Sequence, residues 1–134
     1  MFRIVAICFA LTTAALPARA QDAGAIEAVI TSQLQAFNAH DVGKAWGYAS
    51  PGIQRFFHTP DNFGSMVENG YPMVWTNRDA KFLELREIEG APWQKVMVRG
   101  PDGGLWILDY KMIETDGGWK IDAVSILPAP DVGA

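Results

Sequence analysis

The 134-residue chain is poor in cysteine and histidine, with one and two of them respectively. Its only cysteine is Cys8, which lies near the N-terminus, so residues 21–134 contain no thiol. A domain without cysteine has no disulfide framework, no thiol nucleophile and no cysteine-ligated zinc or iron–sulfur site. The two histidines, His40 and His58, lack the H-x-x-x-H spacing typical of metal ligands. The sequence therefore predicts neither a metal site nor a cofactor.

The chain also lacks an apolar run long enough to span a bilayer. Its most apolar stretch covers residues 4–16, whereas a membrane-spanning helix needs about 20 residues. Arg3 precedes this stretch, and Ala18-Arg19-Ala20 follows it with small residues at positions −3 and −1. This order is typical of a cleavable secretory signal peptide. We expect residues 1–20 to be removed by a cut after Ala20, which leaves one domain over 21–134 in the periplasm or outside the cell, with no stable membrane anchor.

Basic residues are fewer than acidic ones. The whole chain has 11 Lys and Arg against 15 Asp and Glu, and loss of Arg3 and Arg19 with the signal leaves a net charge of −6. An acidic surface repels both phosphate backbones and anionic lipid headgroups. The sequence therefore predicts no nucleic-acid partner.

The first half of the domain predicts three helices. Residues 25–37 have apolar side chains at spacings of three and four, which form one helix face. Asp41 is a typical N-cap for a second helix, which is expected to end at 50–52 (SPG). Pro60 marks the first position of a third helix, and Gly70 is expected to be its left-handed C-cap.

The second half predicts an antiparallel sheet. Four extended runs are separated by short glycine-containing connections, which join only antiparallel neighbours. The runs are 80–88, 93–99, 105–115 and 119–127. The expected fold class is α+β, with three N-terminal helices packed on a curved four-stranded antiparallel sheet. Residues 128–134 are expected to form a flexible tail.

Alternation along the third run predicts which face of the sheet is buried. Trp106, Leu108, Tyr110 and Met112 share one side, and we expect this apolar side to face the helices. Asp109 lies on the opposite side, among polar and apolar residues. A half-apolar outer face of this kind is typical of an interaction surface, so a homodimer through the sheet is one interpretation.

Several stretches of the domain resemble a bacterial family described as domain of unknown function 4864. These stretches are 33–37 (QLQAF), 49–54 (ASPGIQ), 59–60 with Phe63, 70–75 (GYPMVW), 100–103 (GPDG), 108–113 (LDYKMI) and 118–121 (GWKI). The order of three helices, the break at 38–41 (NAHD) and a four-stranded meander is similar to the cystatin-like cone fold of nuclear transport factor two and ketosteroid isomerase. The resemblance implies a fold but no reaction, so no catalytic residue follows from it.

Asp109 and His58 are the candidate catalytic residues. A carboxylate desolvated at position 109 would have a raised pKa and could act as a general base, as in isomerases of the resembling fold. The alternative is an ion pair with a basic side chain of the next strand, such as Lys95 or Lys120. His58 follows two phenylalanines, so it could equally cap a helix, pack against the rings or act as a base.

Residues 70–75 (GYPMVW) are the most unusual segment, because aromatic side chains flank a proline and two apolar residues. We interpret this segment as the rim of a pocket, and the alternative is ordinary core packing. Tyr48, Tyr71, Trp75 and Tyr110 are the predicted ligand-binding residues, since an apolar cavity with a few polar groups suits a small apolar ligand.

Three functions are compatible with these features. The favoured one is non-catalytic binding of a small apolar ligand or a protein partner, because the aromatic-rich interior contains no matched acid–base pair. The first alternative is an isomerase- or hydrolase-like enzyme with a carboxylate or histidine base in the pocket of the cone. The second alternative is a dimerising assembly or interaction module of the cell envelope.

Overall fold

A computed structural model describes residues 18–128 of the chain. Within this range, five helices precede four strands. They are α1 Ala18–Asn38, α2 Val42–Trp46, α3 Pro51–Phe57, α4 Pro60–Gly70, α5 Pro72–Trp75, β1 Arg78–Ile88, β2 Ala91–Arg99, β3 Leu105–Thr115 and β4 Gly118–Leu127. The predicted α+β class is confirmed. Most of the predicted signal peptide and nearly all of the predicted tail lie outside the described residues.

The four strands form one antiparallel meander in the order β1-β2-β3-β4. The predicted strands agree with the observed ones to within two residues, and β3 has the predicted bounds. The chain reverses tightly between β1 and β2, where Gly90 has a φ of 81°, a conformation that glycine adopts without a steric penalty. Short turns of this kind keep sequence neighbours adjacent in the sheet.

The buried face of α1 is the predicted one. Ile26, Ile30, Leu34 and Phe37 are all buried in the core between α1 and the sheet. The helix itself begins at Ala18, directly after Pro17 and earlier than predicted, and it continues through Gly24. Among the helices of residues 18–128, none has both the length and the apolar character needed to cross a bilayer.

The expected single second helix is divided into α2 and α3. Helix α2 ends at Trp46, and the chain then turns so that Ala49 forms a parallel bridge with Ile121 of β4. The Ser-Pro-Gly segment that predicted a helix end begins α3 instead. The reason is local, because the Ser50 hydroxyl accepts a hydrogen bond from the backbone N–H of Ile53 at 3.1 Å, and Pro51 suits the first helical position.

The other predicted helix boundaries are confirmed in part. Asp41 caps α2 by accepting from the Lys44 backbone N–H at 3.1 Å, and Pro60 is the first residue of α4. The prediction of a left-handed C-cap at Gly70 is wrong, since Gly70 ends the helix and Tyr71 occupies the cap position. Pro72 accounts for the difference, because a residue that precedes proline is displaced from helical geometry.

The two faces of β3 follow the predicted alternation. Leu108, Tyr110 and Met112 are buried against the helical layer, and Trp106 is partly buried on the same side. Asp109 lies on the opposite, outer face. The inner face of the sheet is therefore one wall of the core.

Candidate functional site

A cavity of about 310 Å³ lies between the inner face of the sheet and the helices α3 and α4. Its walls are almost entirely apolar. Six of the side chains that form them are Phe37, Ile53, Phe57, Phe63, Met66 and Val67. Concave apolar sites with few polar groups are typical binding sites for small molecules.

Helix α4 supplies the centre of this wall. Phe63, Met66 and Val67 are three and four residues apart, so one face of the helix presents them together. The Phe63 ring packs against Phe37 of α1 and Phe57 of α3, with centroid distances of 5.8 Å to each. These ring contacts hold three helices around the cavity.

Phe56 lies at the rim of the cavity. It is 76% exposed, the most exposed large apolar side chain of residues 18–128, and its ring packs edge-on against Phe57 at 4.9 Å. Helix α3 thus continues the apolar lining of the cavity out to the surface. Phe56 and Phe57 therefore present aromatic surface at this side of the cavity.

Tyr110 of β3 lines the cavity with its ring, and its hydroxyl oxygen is completely buried. The residue is 1% exposed, and its hydroxyl has no hydrogen-bond partner among the residues that the structure describes. Burial raises the pKa of Tyr110 far above its usual value, and the neighbouring Tyr71 raises it further. The phenol is therefore neutral at physiological pH. An unpaired buried hydroxyl lowers the stability of the folded protein by about 1–3 kcal/mol.

Tyr71 lines the same cavity and differs from Tyr110 in its hydrogen bonding. Its hydroxyl donates to the backbone oxygen of Val124 at 3.1 Å, which connects the α4–α5 junction to β4. The structure thus brings together two of the four predicted ligand-binding residues. The Tyr71 hydroxyl is hydrogen-bonded, whereas the Tyr110 hydroxyl has no partner among the described residues.

The structure places Tyr48 and Trp75 outside the lining of this cavity. The Trp75 ring stacks on His40, with centroids 4.7 Å apart, and also packs against Phe37 from outside the cavity. Tyr48 lies in the turn between α2 and α3, where its backbone oxygen accepts from the Ile121 N–H at 2.9 Å. Sequence alone does not show on which side of a wall an aromatic ring lies.

Asp122, which no sequence pattern indicated, also lines the cavity. It is the extra residue of a β-bulge, since Lys111 pairs with Ala123 whereas Met112 pairs with Ile121. Bulges redirect side chains, and here the carboxylate is directed towards the start of α3. The Ser50 hydroxyl donates to Asp122 Oδ1 at 2.7 Å, and Lys111 Nζ lies 3.8 Å from Oδ2.

The structure places Asp109 on the outer face, away from the cavity. Its side chain is 9% exposed and accepts two hydrogen bonds of 3.3 Å from Nη1 of Arg86, with a shorter one from Nη2. The expected partners Lys95 and Lys120 are wrong. Lys95 faces Asp109 directly in the register, but the longer, forked Arg86 side chain reaches across from β1 and matches both carboxylate oxygens.

His58 is exposed and lies outside the cavity lining. It caps the C-terminus of α3 in a left-handed conformation with a φ of 70°, and its backbone N–H donates to Gln54 O at 2.9 Å. Of the interpretations open for His58, capping is the one observed. Neither predicted catalytic candidate therefore shares the cavity with Tyr110.

Residues 18–128 contain no group of three or more His, Asp or Glu side chains that could hold a metal ion. A family model described as a domain of unknown function (DUF4864) matches residues 19–134. No curated protein and no solved structure matches the chain.

Proposed function

The chain belongs to the family described as a domain of unknown function (DUF4864), and since that description assigns no activity, we propose from the cavity that the protein binds a small apolar ligand. The observation that carries this proposal is the cavity of about 310 Å³ between the sheet and the helices α3 and α4, whose walls are almost entirely apolar. Concave apolar sites of this size with few polar groups are typical binding sites for small molecules.

The size of the cavity supports a ligand of about two rings. An apolar cavity of about 150 Å³ is large enough to bind benzene. The present cavity, at about 310 Å³, has roughly twice that volume. A fused two-ring molecule or a branched aliphatic one of similar volume would fill it.

The polar contacts at the cavity support binding over acid–base catalysis. Asp109 is paired with Arg86 on the outer face, and His58 is exposed beyond the lining. Asp122 does line the cavity, but Ser50 and Lys111 already engage its two oxygens. The enzyme alternative therefore has no unengaged carboxylate among the described lining residues.

The charge on the outer face supports ligand binding over assembly through the sheet. The register places Lys81 and Lys95 on this one face, beside the Arg86–Asp109 pair. A two-fold contact brings the same patch of both copies together, so a sheet-to-sheet homodimer would place lysines of like charge near each other.

The proposal extends to location and fold kinship. The order of charge, apolar stretch and small residues in 1–20 supports export to the periplasm or beyond. Helices packed on an antiparallel sheet around an apolar cavity are compatible with the cone fold of nuclear transport factor two and ketosteroid isomerase. Export sets the compartment in which the ligand is to be sought.

Extraction of the purified protein tests the proposal directly. We expect mass spectrometry of an organic extract to show a co-purifying apolar molecule, and added naphthalene to raise the melting temperature of the extracted protein. Val67→Phe fills the cavity from α4 and should abolish both results. Ser65→Phe, on the exposed side of the same helix, is the matched control and should preserve them. Failure of naphthalene to bind, with empty extracts, would contradict the proposal.

A further inference from the structure

The cavity lining carries charge of one sign. Among the described residues it contains no Lys, Arg or His side chain, and its charged residue is the carboxylate of Asp122. An anionic group placed in this cavity would lose its hydration, would find no counter-charge in the wall and would be repelled by Asp122. The lining therefore discriminates against anions.

The Asp122 carboxylate has room for another hydrogen bond. Oδ1 accepts from the Ser50 hydroxyl at 2.7 Å. The partner of Oδ2 is the ammonium of Lys111 at 3.8 Å, a distance longer than that of a hydrogen bond. Since a carboxylate has about four lone-pair sites, Oδ2 can still accept a charge-assisted hydrogen bond.

Oδ2 is also accessible. The Asp122 side chain is 28% exposed, whereas the one enclosed and unpaired side-chain polar atom of residues 18–128 is the Tyr110 hydroxyl oxygen. Gly52, in the first turn of α3, leaves the carboxylate uncovered, because a Cβ at this position would lie only 3.6 Å from Oδ1. A molecule in the cavity can therefore reach Asp122.

Lys111 is a weak competitor for this carboxylate. Its side chain is 39% exposed, and an exposed ion pair without a hydrogen bond contributes little stability. A cationic group of a ligand can take its place at Oδ2, while the Lys111 ammonium returns to water. The rings of Phe56 and Phe57 line the same cavity, and aromatic faces attract cations.

From this arrangement we infer that the ligand is an apolar amine, whose apolar body fills the cavity and whose protonated amino group donates to Asp122 Oδ2. The inference rests on the proposed binding function and narrows it to one chemical class. Free fatty acids and other carboxylates would not be ligands of this cavity.

A matched series of probes tests the class of the ligand. The probes 2-naphthylmethylamine, 2-naphthylmethanol and 2-naphthoate share one two-ring body and carry a cationic, a neutral and an anionic substituent at neutral pH. We expect calorimetric titration to show the amine binding about tenfold more tightly than the alcohol, because its hydrogen bond to Asp122 joins two charged groups. We expect 2-naphthoate to bind at least about a hundredfold more weakly than the amine.

Substitutions of the ion pair identify the anchor. Asp122→Asn removes the charge but keeps an oxygen that can accept from Ser50, and it should make the affinities for the amine and the alcohol equal. Lys111→Met removes the competitor, so it should raise the affinity for the amine about threefold and leave that for the alcohol unchanged. Lys95→Met, the same substitution opposite Asp109 on the outer face, is the matched control and should change neither affinity. Should Asp122→Asn fail to fold, Lys111→Met and the ratios measured with the unsubstituted protein still decide the class of the ligand.

The outcomes separate this inference from the proposed function. Equal affinities for the amine and the alcohol would overturn the inference, and continued binding of naphthalene would leave apolar binding intact. Binding of 2-naphthoate as tight as that of the amine would overturn the exclusion of anions. A preference for the amine that persists in Asp122→Asn would overturn the role of Asp122. If neither naphthalene nor any of the three probes binds, the proposed function and the inference fail together.

Discussion

Asp109 and Tyr110 are consecutive residues of β3, yet their polar groups have opposite surroundings on the two faces of the sheet. Asp109 is buried on the outer face, and both of its carboxylate oxygens bond to Arg86. Tyr110 is buried on the inner face, and its hydroxyl has no partner in the described chain. The Asp109 contact is complete, whereas the Tyr110 hydroxyl is buried without a partner in the described chain, which costs stability.

The difference arises from what covers each face. On the outer face, long side chains of neighbouring strands lie flat across the sheet, so Arg86 can reach Asp109 from two strands away. On the inner face, the helical layer covers Tyr110 with side chains such as Phe63 and Val67, which have no polar atoms. The inner face therefore excludes water from the hydroxyl without replacing the hydrogen bonds of that water.

Arg86→Ala would break the outer contact and should have the largest effect on stability. It leaves the Asp109 carboxylate buried and unpaired, so we expect the free energy of unfolding to fall by about 3 kcal/mol. Urea denaturation of the purified protein measures the change. Lys95→Ala, which removes the lysine directly opposite Asp109, is the control and should change stability by less than about 0.5 kcal/mol. A loss below about 1 kcal/mol for Arg86→Ala would mean that the Arg86–Asp109 ion pair does not stabilise the fold.

Ser50→Ala tests a complete polar contact on the cavity side. The substitution removes the N-cap of α3 and the hydrogen bond to Asp122, so we expect a loss of about 2 kcal/mol in the free energy of unfolding. Thr59→Ala is the matched control, because the Thr59 hydroxyl caps α4 by accepting from the Asn62 N–H alone. Its loss should be about 1 kcal/mol. Equal losses would show that the bond to Asp122 contributes nothing.

Alkaline pH should destabilise the fold through Tyr110. An unfolded tyrosine loses its proton near pH 10, whereas the raised pKa of Tyr110 keeps the proton on the folded protein. The folded state then binds more protons than the unfolded state, so stability falls as pH rises above about 10, by up to about 1.4 kcal/mol per pH unit. Urea denaturation at several alkaline pH values measures the slope. In the Tyr110→Phe variant, the free energy of unfolding should fall less steeply with pH, because the contribution of Tyr110 is absent. A slope equal to that of the unsubstituted protein would contradict the prediction.

Tyr110→Phe should have the smallest effect on stability, and the sign of that effect tests whether the hydroxyl on the inner face is unpaired. Removing an unpaired buried hydroxyl should raise the free energy of unfolding of ligand-free protein by about 1 kcal/mol. Tyr71→Phe loses the bond to Val124 and should lower it by about the same amount. Thermal or urea denaturation distinguishes the two signs. A decrease for Tyr110→Phe would show that the hydroxyl is satisfied in solution by another group, such as a water molecule.

Local patterns of sequence predicted a large part of the fold. The alternation from Trp106 to Met112 predicts which side chains of β3 are buried, because side chains alternate between the faces of a strand. The apolar spacing in residues 25–37 likewise predicts the buried face of α1, and Pro60 predicts the start of α4. These features depend on residues within one or two turns of each other, so short segments are sufficient to specify them.

The contacts of the cavity could not be predicted in this way. The Ser50–Asp122 hydrogen bond joins residues 72 positions apart, and the bulge that directs Asp122 depends on a register shift against β3. The same holds for Arg86, whose partner is 23 positions away in the chain. Distance along the chain does not indicate which of several basic or acidic side chains will meet.

Periodicity and turn chemistry act over a few residues, so the sequence alone was sufficient to predict the fold class, the order of helices and strands, and the inward direction of Tyr110. Contacts between distant segments were needed to establish that the Tyr71 hydroxyl has a partner and the Tyr110 hydroxyl has none among the described residues, that Tyr48 and Trp75 lie outside the cavity lining, and that Asp109 pairs with Arg86. Those outcomes depend on which atoms from distant segments approach within about 3 Å, the range in which a hydrogen bond forms.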